Sequence, residues 1–333
     1  MNDIEHLAPG DDRPWSPEEA ASIARAVNRA PSVHNTQPWS LSMHDRVVDL
    51  HQREDTAPSQ HDPEGRDRTI SCGAALTNLV LAVRKLGWRA DIAFRDDPEH
   101  LASVAASRRL EPGPAEIQRY EAIADRASHR RPFEPRPVSG PDERALRSAA
   151  EELPPVRARW ITGDAEALHL ARLLTYAARV QHADQTYQRE LASWIVQQAD
   201  SKPSGVPAEA LGEQGLGAVG LVSGATRAPD EAWLAARVES ESVLLLSTPE
   251  DGLRAHLDAG AALENAWLEA THRGLGASVM TQCLQLGEIR RGLARGGGGP
   301  DSVQVLMRFG HPVAPVPRSA RRPLEEIFDD DPR

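Results

Sequence analysis

The chain has 333 residues, 40% of them apolar, enough for a sizeable core and for one large or two smaller domains. Its 38 Lys+Arg stand against 49 Asp+Glu, a net charge of −11. That balance argues against binding to a phosphate backbone or an anionic membrane as the main task, since both need clustered positive charge.

In chain order, Ser16-Pro17-Glu18-Glu19 reads as a cap with proline in the first turn, so a helix is predicted from there to Ala30, ended by Pro31. A polar loop follows, Ser32-Val33-His34-Asn35-Thr36-Gln37, closed by Pro38-Trp39. Alternation in Trp39 to Met43 and Val47 to His51, around His44-Asp45-Arg46, predicts a hairpin. Leu76, Leu79, Val80, Val83 and Leu86 have helical spacing, placing a helix over about 67–86 with Gly87 as its left-handed cap. Trp88 to Phe94 reads as a strand, and the Pro/Gly stretch Leu110 to Pro114 as a boundary between two halves, 1–114 and 115–333. Beyond it come a helix over 115–125, an Arg-rich segment, a capped helix over 142–153 and a strand over 156–161. Residues 164–200 read as helical throughout and 202–224 as a Gly/Pro-rich loop. A strand over 241–247, a helix over 257–273, a glycine loop at 296–299 and a buried strand over 303–309 complete the reading.

The halves echo each other. Gly73-Ala74-Ala75-Leu76-Thr77-Asn78 matches Gly260-Ala261-Ala262-Leu263-Glu264-Asn265, and the same separation relates Leu81 to Leu268 and Gly87 to Gly274. Upstream, Pro17-Glu18-Glu19 matches Pro141-Asp142-Glu143 and Pro31 matches Pro155 at a shorter separation, so the second half carries extra chain within 164–230. Two related units in one chain suggest a fused dimer.

Three segments carry candidate chemistry. The 31–39 loop packs a hydroxyl, an imidazole and two amides between prolines, a set suited to a planar heterocycle with mixed donor and acceptor edges, or to a polar turn. Arg126-Ala127-Ser128-His129-Arg130-Arg131-Pro132-Phe133 offers forked donors for a phosphate, or a solvated basic stretch. The tail, Arg318-Ser319-Ala320-Arg321-Arg322, is again basic, whether as a binding element or a surface arm. Other chemistries lack their signatures: there is no P-loop, GxSxG elbow, HExxH or paired-His metal spacing, and no metal is expected. Only Lys85 and Lys202 are lysines, which leaves little for Schiff-base chemistry. Cys72 and Cys283 form no CxxC and no disulfide framework. Cys72, beside Ser71 near a helix start, is expected to be packed rather than reactive. The acidic stretch 1–12 has no apolar core, and no apolar run is long enough for a membrane span, so a cytoplasmic chain is expected.

With these motifs in their order, residues 15 to 328 resemble the nitroreductase superfamily of FMN-dependent oxidoreductases, and within it the Acg-like subfamily of actinobacteria. The resemblance implies an α+β nitroreductase-like fold in which two related halves mimic a nitroreductase homodimer. It further implies a monomeric pseudo-dimer with one FMN where the halves meet. On that basis Arg126, Ser128 and Arg130, with Arg321 or Arg322, are the expected phosphate ligands. Ser32, Asn35 and Gln37 are expected at the ring or ribityl chain, with Gln282 beside the ring where several members carry an acid. Many members have Lys-x-Arg in the tail; here the lysine position holds Ser319. The implied activity is NAD(P)H-dependent reduction of nitroaromatics, quinones or similar small-molecule acceptors. No side-chain acid or base is assigned, and His34 reads more readily as a loop histidine satisfied by the backbone. The alternative is a flavin store, closed by a lid over about 164–230. A cofactor-free structural member is a third reading, and the two arginine clusters oppose it.

Overall fold

The computed structural model describes residues 13–197, 202–211, 216, 219, 221, 230–296 and 301–328. The order begins α1 (Pro17–Asn28), β1 (Trp39–His44), β2 (Val47–Gln52), α2 (Arg66–Lys85), β3 (Trp88–Phe94) and β4 (His100–Arg109). It continues α3 (Pro114–Ala122), α4 (Gly140–Ala150) and β5 (Arg157–Trp160). Next come α5 (Gly163–Ala183), α6 (Gln185–Trp194), β6 (Ile195–Val196), β7 (Val206–Pro207), α7 (Ala208–Leu211) and α8 (Glu231–Ser240). The chain then runs through β8 (Ser242–Thr248), α9 (Leu253–His272), β9 (Gly276–Val279), α10 (Gly287–Gly296) and β10 (Ser302–Gly310). No helix among the described residues is long and apolar enough to cross a membrane.

Local chemistry sets the starts and stops. The Ser16 hydroxyl accepts from the Glu19 amide at 3.2 Å while the Glu19 carboxylate accepts from the Ser16 amide at 2.9 Å, a reciprocal cap for α1. Gly87, at φ 81°, ends α2 in the left-handed region. Between α5 and α6 the continuous helix expected over 164–200 breaks, because the Asp184 carboxylate accepts from the Thr186 and Tyr187 amides and starts a new helix. That helix gives way to β6, and 198–200 lie outside the described residues. So do much of the expected 202–224 loop and residues 297–299 of the glycine loop.

Two antiparallel four-stranded sheets carry the fold, in the orders β1-β2-β4-β3 and β5-β8-β10-β9. The strands thus follow the same order in both sheets, one built from residues 39–109 and the other from 157–310. Where the first half joins β1 to β2 through a tight turn at Asp45-Arg46, the second inserts α5 to α8 between β5 and β8. A main core is shared by both halves, with Trp39, Leu50 and Leu79 from the first and Leu246, Trp267 and Phe309 from the second. A second cluster, including Leu170, Leu174, Leu234 and Leu306, secures the insertion to its sheet.

At the centre α2 crosses α9. The echoed glycines face each other: a methyl group on Gly73 would stand 2.9 Å from the Gly260 Cα and overlap the Leu257 carbonyl. One on Gly260 would stand 3.0 Å from the Gly73 Cα and overlap the Ile70 carbonyl. Backbone rather than side chain blocks both positions, so no rotamer change relieves the clash. Gly73→Ala and Gly260→Ala are therefore expected to cost about 3 kcal/mol each. Gly252→Ala, whose methyl group meets nothing, serves as the control and should cost under about 1 kcal/mol. Denaturant unfolding of the three variants checks this.

Candidate functional site

The loop after α1 is held in an uncommon conformation. His34, Asn35 and Gln37 have φ of 44°, 57° and 52°, a region that non-glycine residues seldom adopt. Pro31 and Pro38 bracket them, the Gln37 amide donates to Ser32 Oγ at 3.0 Å, and the Val33 amide donates to Ser71 Oγ on α2 at 3.1 Å. The surrounding structure thus sustains the strain.

Opposite this loop, residues 126–133 lie along the edge of β9. Ser128 pairs with Ala277, and the His129 amide donates to the Ala277 carbonyl at 2.8 Å. Arg308 of β10, wholly buried, fixes the segment from beneath by donating to the His129 carbonyl at 3.0 Å and the Arg131 carbonyl at 2.9 Å. Its charge is met by the buried Glu241. The backbone on both sides of Arg130 is therefore pinned.

Arg126 donates to the Arg29 carbonyl at 2.6 Å, lies 4.7 Å from the centre of the Trp267 ring, and has Glu264 at 3.4 Å. Arg321 arrives from the tail, donating to Asn35 Oδ1 and to the Arg29 and Ala30 carbonyls at 3.3 and 3.4 Å. Arg130 makes no hydrogen bond or ion pair among the described residues. Burial, together with neighbouring Arg126, pushes its pKa down to about 10. Burial likewise brings Arg321 down to about 9, with Arg126 and Arg29 adding to the effect. Three guanidinium groups thus gather where the one nearby carboxylate is Glu264, and the Nε atoms of Arg126 and Arg321 are buried without hydrogen-bond partners. Such a site is built to receive an anion.

The cleft has two lobes. A polar lobe of about 500 Å³ is lined by Arg29, Asn35, Arg126, Ser319 and Arg321, among others. A larger and more apolar lobe of about 730 Å³ is walled by Ile70 and Ala74 of α2, Leu263 and Trp267 of α9, and residues 278–282 at the end of β9 and just beyond it. Pro31, Ser32, Ser128 and Arg130 line both lobes and join them.

Of the nine residues singled out in the sequence, Ser32, Ser128 and Arg130 stand where the lobes meet. Asn35, Arg126 and Arg321 line the polar lobe, and Gln282 the apolar one. Gln282 bonds inward, donating to Asp67 Oδ2 at 3.1 Å and accepting from the Tyr187 hydroxyl at 3.2 Å. Gln37 and Arg322 line neither lobe. Gln37 donates to the Asn35 and Pro203 carbonyls at 3.0 and 2.8 Å and accepts from the Arg322 amide at 2.8 Å, so it ties the tail and the insertion to the loop. Arg322 turns its side chain to Glu326 at 3.4 Å. Cys72 is buried in the second turn of α2, donating to the Pro38 carbonyl, with burial raising its thiol pKa.

The insertion closes over the loop. Besides Pro203, the Gly205 amide donates to the His34 carbonyl at 3.0 Å, Arg131 donates to the Glu209 carbonyl at 3.1 Å, and Trp194 stacks on His34. Val219 and Leu221 reach the apolar lobe. His34 Nε2 lies 2.6 Å from His61 Nδ1, and His61 Nε2 lies 3.0 Å from the Tyr187 carbonyl. A carbonyl only accepts, so this chain assigns the protons to His61 Nε2 and His34 Nε2, with both rings neutral. Burial, then His61 and Arg130, hold His34 well below the ordinary histidine range.

The sequence reading missed Arg29, Glu264, Trp267, Arg308 and the insertion's contacts. Glu264 alone carried a signal, as a charged residue where the first repeat has Thr77 on a helix face otherwise made of small and apolar residues.

The Nitroreductase family model matches residues 123–311. A Mycobacterium tuberculosis protein described as "Putative NAD(P)H nitroreductase" is 30% identical over 329 residues, covering 94% of this chain and 91% of its own. The chain belongs to the Nitroreductase family. Another relative from that organism, "Putative NAD(P)H nitroreductase acg", is 30% identical over 92% of this chain and 94% of its own length. Among solved nitroreductases, the FMN-dependent NfnB of Mycobacterium smegmatis in complex with NADPH superposes with a TM-score of 0.42 at 17% identity, covering 65% of this chain and 99% of NfnB. The NADPH:FMN oxidoreductase of Vibrio harveyi complexed with NAD+ gives 0.38 at 16% identity, covering 65% and 78%.

Glu264 gives this nitroreductase-family cleft a pH signature. Burial, only partly offset by Arg126, raises its pKa to about 7 from the 4.5 of an exposed glutamate. The folded state therefore binds this proton more tightly than the unfolded chain. The associated stability is complete below about pH 4.5 and is lost as the pH rises toward 7, by about 3 kcal/mol in all. Glu264→Gln, which cannot ionise, should flatten the fall in Tm between pH 5 and 8 in the ligand-free protein, as read by calorimetry.

Proposed function

We propose that the chain is an FMN-binding oxidoreductase that uses NAD(P)H to reduce nitroaromatics, quinones or similar acceptors. The observation that carries this reading is Arg130, unpartnered in the wall where a cationic lobe opens into an apolar one. A planar ring joined to a phosphate by a polar chain has that same division. The identity of the ligand as FMN comes from the motif resemblance and the family, and NAD(P)H from the names of the relatives.

In this reading Arg126, Ser128, Arg130 and Arg321 hold the phosphate, Ser32 meets the polar chain between the lobes, and Asn35 holds Arg321 in place. Leu263, Trp267, Ile70 and Ala74 exclude water from the ring. Bound FMN supplies the two-electron chemistry, and the protein supplies placement and field. Gln282 offers a neutral amide whose hydrogen bonds are already engaged with Asp67 and Tyr187, and so contributes no titrating proton. We also propose that the 1–114 and 115–333 halves mimic a nitroreductase homodimer, each contributing one wall, so that one FMN binds per chain and the chain works as a monomer.

One set of observations favours a second reading, flavin storage. The insertion is bonded to the 31–37 loop through Pro203 and Gly205, and its Val219 and Leu221 reach into the lobe proposed for the ring. A cover held in that way would keep nicotinamide out.

Flavin released on denaturation should amount to one FMN per chain. Arg130→Ala should weaken FMN binding about thirtyfold, the loss of a charge-assisted contact, with little change in Tm because Arg130 has no partner to lose. Absence of bound FMN even after incubation with excess would overturn the reading. Steady NAD(P)H oxidation with an acceptor supports turnover, whereas flavin that dithionite reduces and NAD(P)H does not supports storage.

A further inference from the structure

The outer face of the first sheet, on the side of β1, β2 and β4 away from the core, carries a cluster of histidines around one carboxylate. Asp49 and His51 alternate onto this face of β2. His100 Nε2 lies 3.2 Å from Asp49 Oδ1, and His44 Nδ1 lies 3.3 Å from Asp49 Oδ2. The rings of His51 and His100 lie 4.7 Å apart, and the candidate ligand atoms of Asp49, His51 and His100 all fall within 4.8 Å of one another.

A break in strand register creates this arrangement. Along β2–β4 the pairs run Asp49↔Ser103 and Leu50↔Ala102, then shift so that His51 opposes His100. With regular pairing His51 would face residue 101 and His100 would turn toward the core. The bulge instead sends Leu101 inward, where it is fully buried, and brings His100 out beside His51 and Asp49. Bulges are a common means of re-aiming one side chain. The linear sequence shows no metal spacing because the ligands come from three strands and one of them depends on that shift.

We propose that Asp49, His51 and His100, with His44 as a fourth ligand, form a binding site for a divalent transition-metal ion of the zinc class. Several neutral imidazoles and a single carboxylate suit borderline ions such as Zn²⁺, not the oxygen-seeking Ca²⁺ or Mg²⁺. Tetrahedral coordination at about 2 Å sets ligand atoms roughly 3.3 Å apart, a closure that imidazole rotation supplies. Two serines stand ready as outer partners. Ser103 Oγ donates to Asp49 Oδ1 at 2.5 Å, while Ser42 Oγ lies 3.5 Å from Asp49 Oδ2 and 3.0 Å from His51 Nε2, the contact that the metal would replace. Arg95 donates to Ser103 Oγ at 3.0 Å, which fixes the orientation of that hydroxyl toward Asp49. Half-exposed His44 leaves the site open to solvent. The site lies apart from the cleft and does not depend on flavin.

The test is equilibrium dialysis of the full chain, free of any affinity tag and stripped with EDTA, against Zn²⁺, with bound metal counted by mass spectrometry. One ion per chain is expected, bound at least about tenfold more weakly by His51→Gln and His100→Gln and unchanged in His272→Gln, an exposed histidine at the end of α9. No saturable binding, or binding that His51→Gln and His100→Gln leave unchanged, overturns the proposal. Protection in the unaltered chain requires no variant to fold: Zn²⁺ should shield His51 and His100, but not His272, from diethyl pyrocarbonate. Failure to shield them also overturns it.

Discussion

Helices α2 and α9 meet backbone to backbone at Gly73 and Gly260, and the rest of the architecture is arranged about that contact. Close approach brings Ile70 and Ala74 of one helix toward Leu263 and Trp267 of the other, so the crossing also forms the floor of the cleft. From α2, Ser71 holds the 31–37 loop, and Asn78 donates to the Ala26 carbonyl at 3.0 Å in the preceding helix. From α9, the chain turns through Gly274 into β9, on whose edge the 126–133 segment is laid. A wider crossing would separate the two walls and leave the arginines without the loop they face.

The electrostatic design concentrates what the composition dilutes. The whole chain is acidic, yet Arg29, Arg126, Arg130 and Arg321 converge on one small lobe, with the buried Glu264, itself titrating at about 7, 3.4 Å from Arg126. Desolvation depresses the pKa values of Arg130 and Arg321 without neutralising them near pH 7. Low surrounding dielectric strengthens their pull on an arriving anion. Arg308 lies outside the lobe, yet its two backbone contacts hold the peptide flanking Arg130 in a fixed pose.

Much of the frame was legible because its signals are local. Cap residues announced α1 and α4, apolar spacing gave α2, alternation gave the β1–β2 hairpin, and the stretch after the Gly87 cap read as β3. The strand β4 escaped because its Ala/Ser pattern is too small and polar to register as alternation, although Ala102, Val104 and Ala106 are fully buried. β9 is only four residues long, and α10 opens on Gly287 directly after Leu286, with no capping residue type in the sequence to announce it. In the cleft, motif residues pointed to both arginine clusters and to the loop. What the sequence concealed was how bonds are shared across distance: Gln37 serves the tail and the insertion, and Gln282 serves Asp67 and Tyr187. Those partners lie more than 90 residues away, beyond any periodicity or spacing rule.

The tail adds a temporal dimension. Leu41 pairs with Phe328, the Leu41 amide donating to the Ile327 carbonyl at 2.7 Å, so the edge of the first sheet is finished by some of the last described residues. Arg321 meets Asn35 across 286 residues of chain. Contacts of such separation form late, after local helices and hairpins are in place. During synthesis the first half can gather its sheet and helices long before Arg321 leaves the ribosome, but it does so with an open edge strand and an incomplete cationic lobe. Closing that edge and completing that lobe both wait on the same short segment, 321–328, so sheet and cationic lobe are finished together.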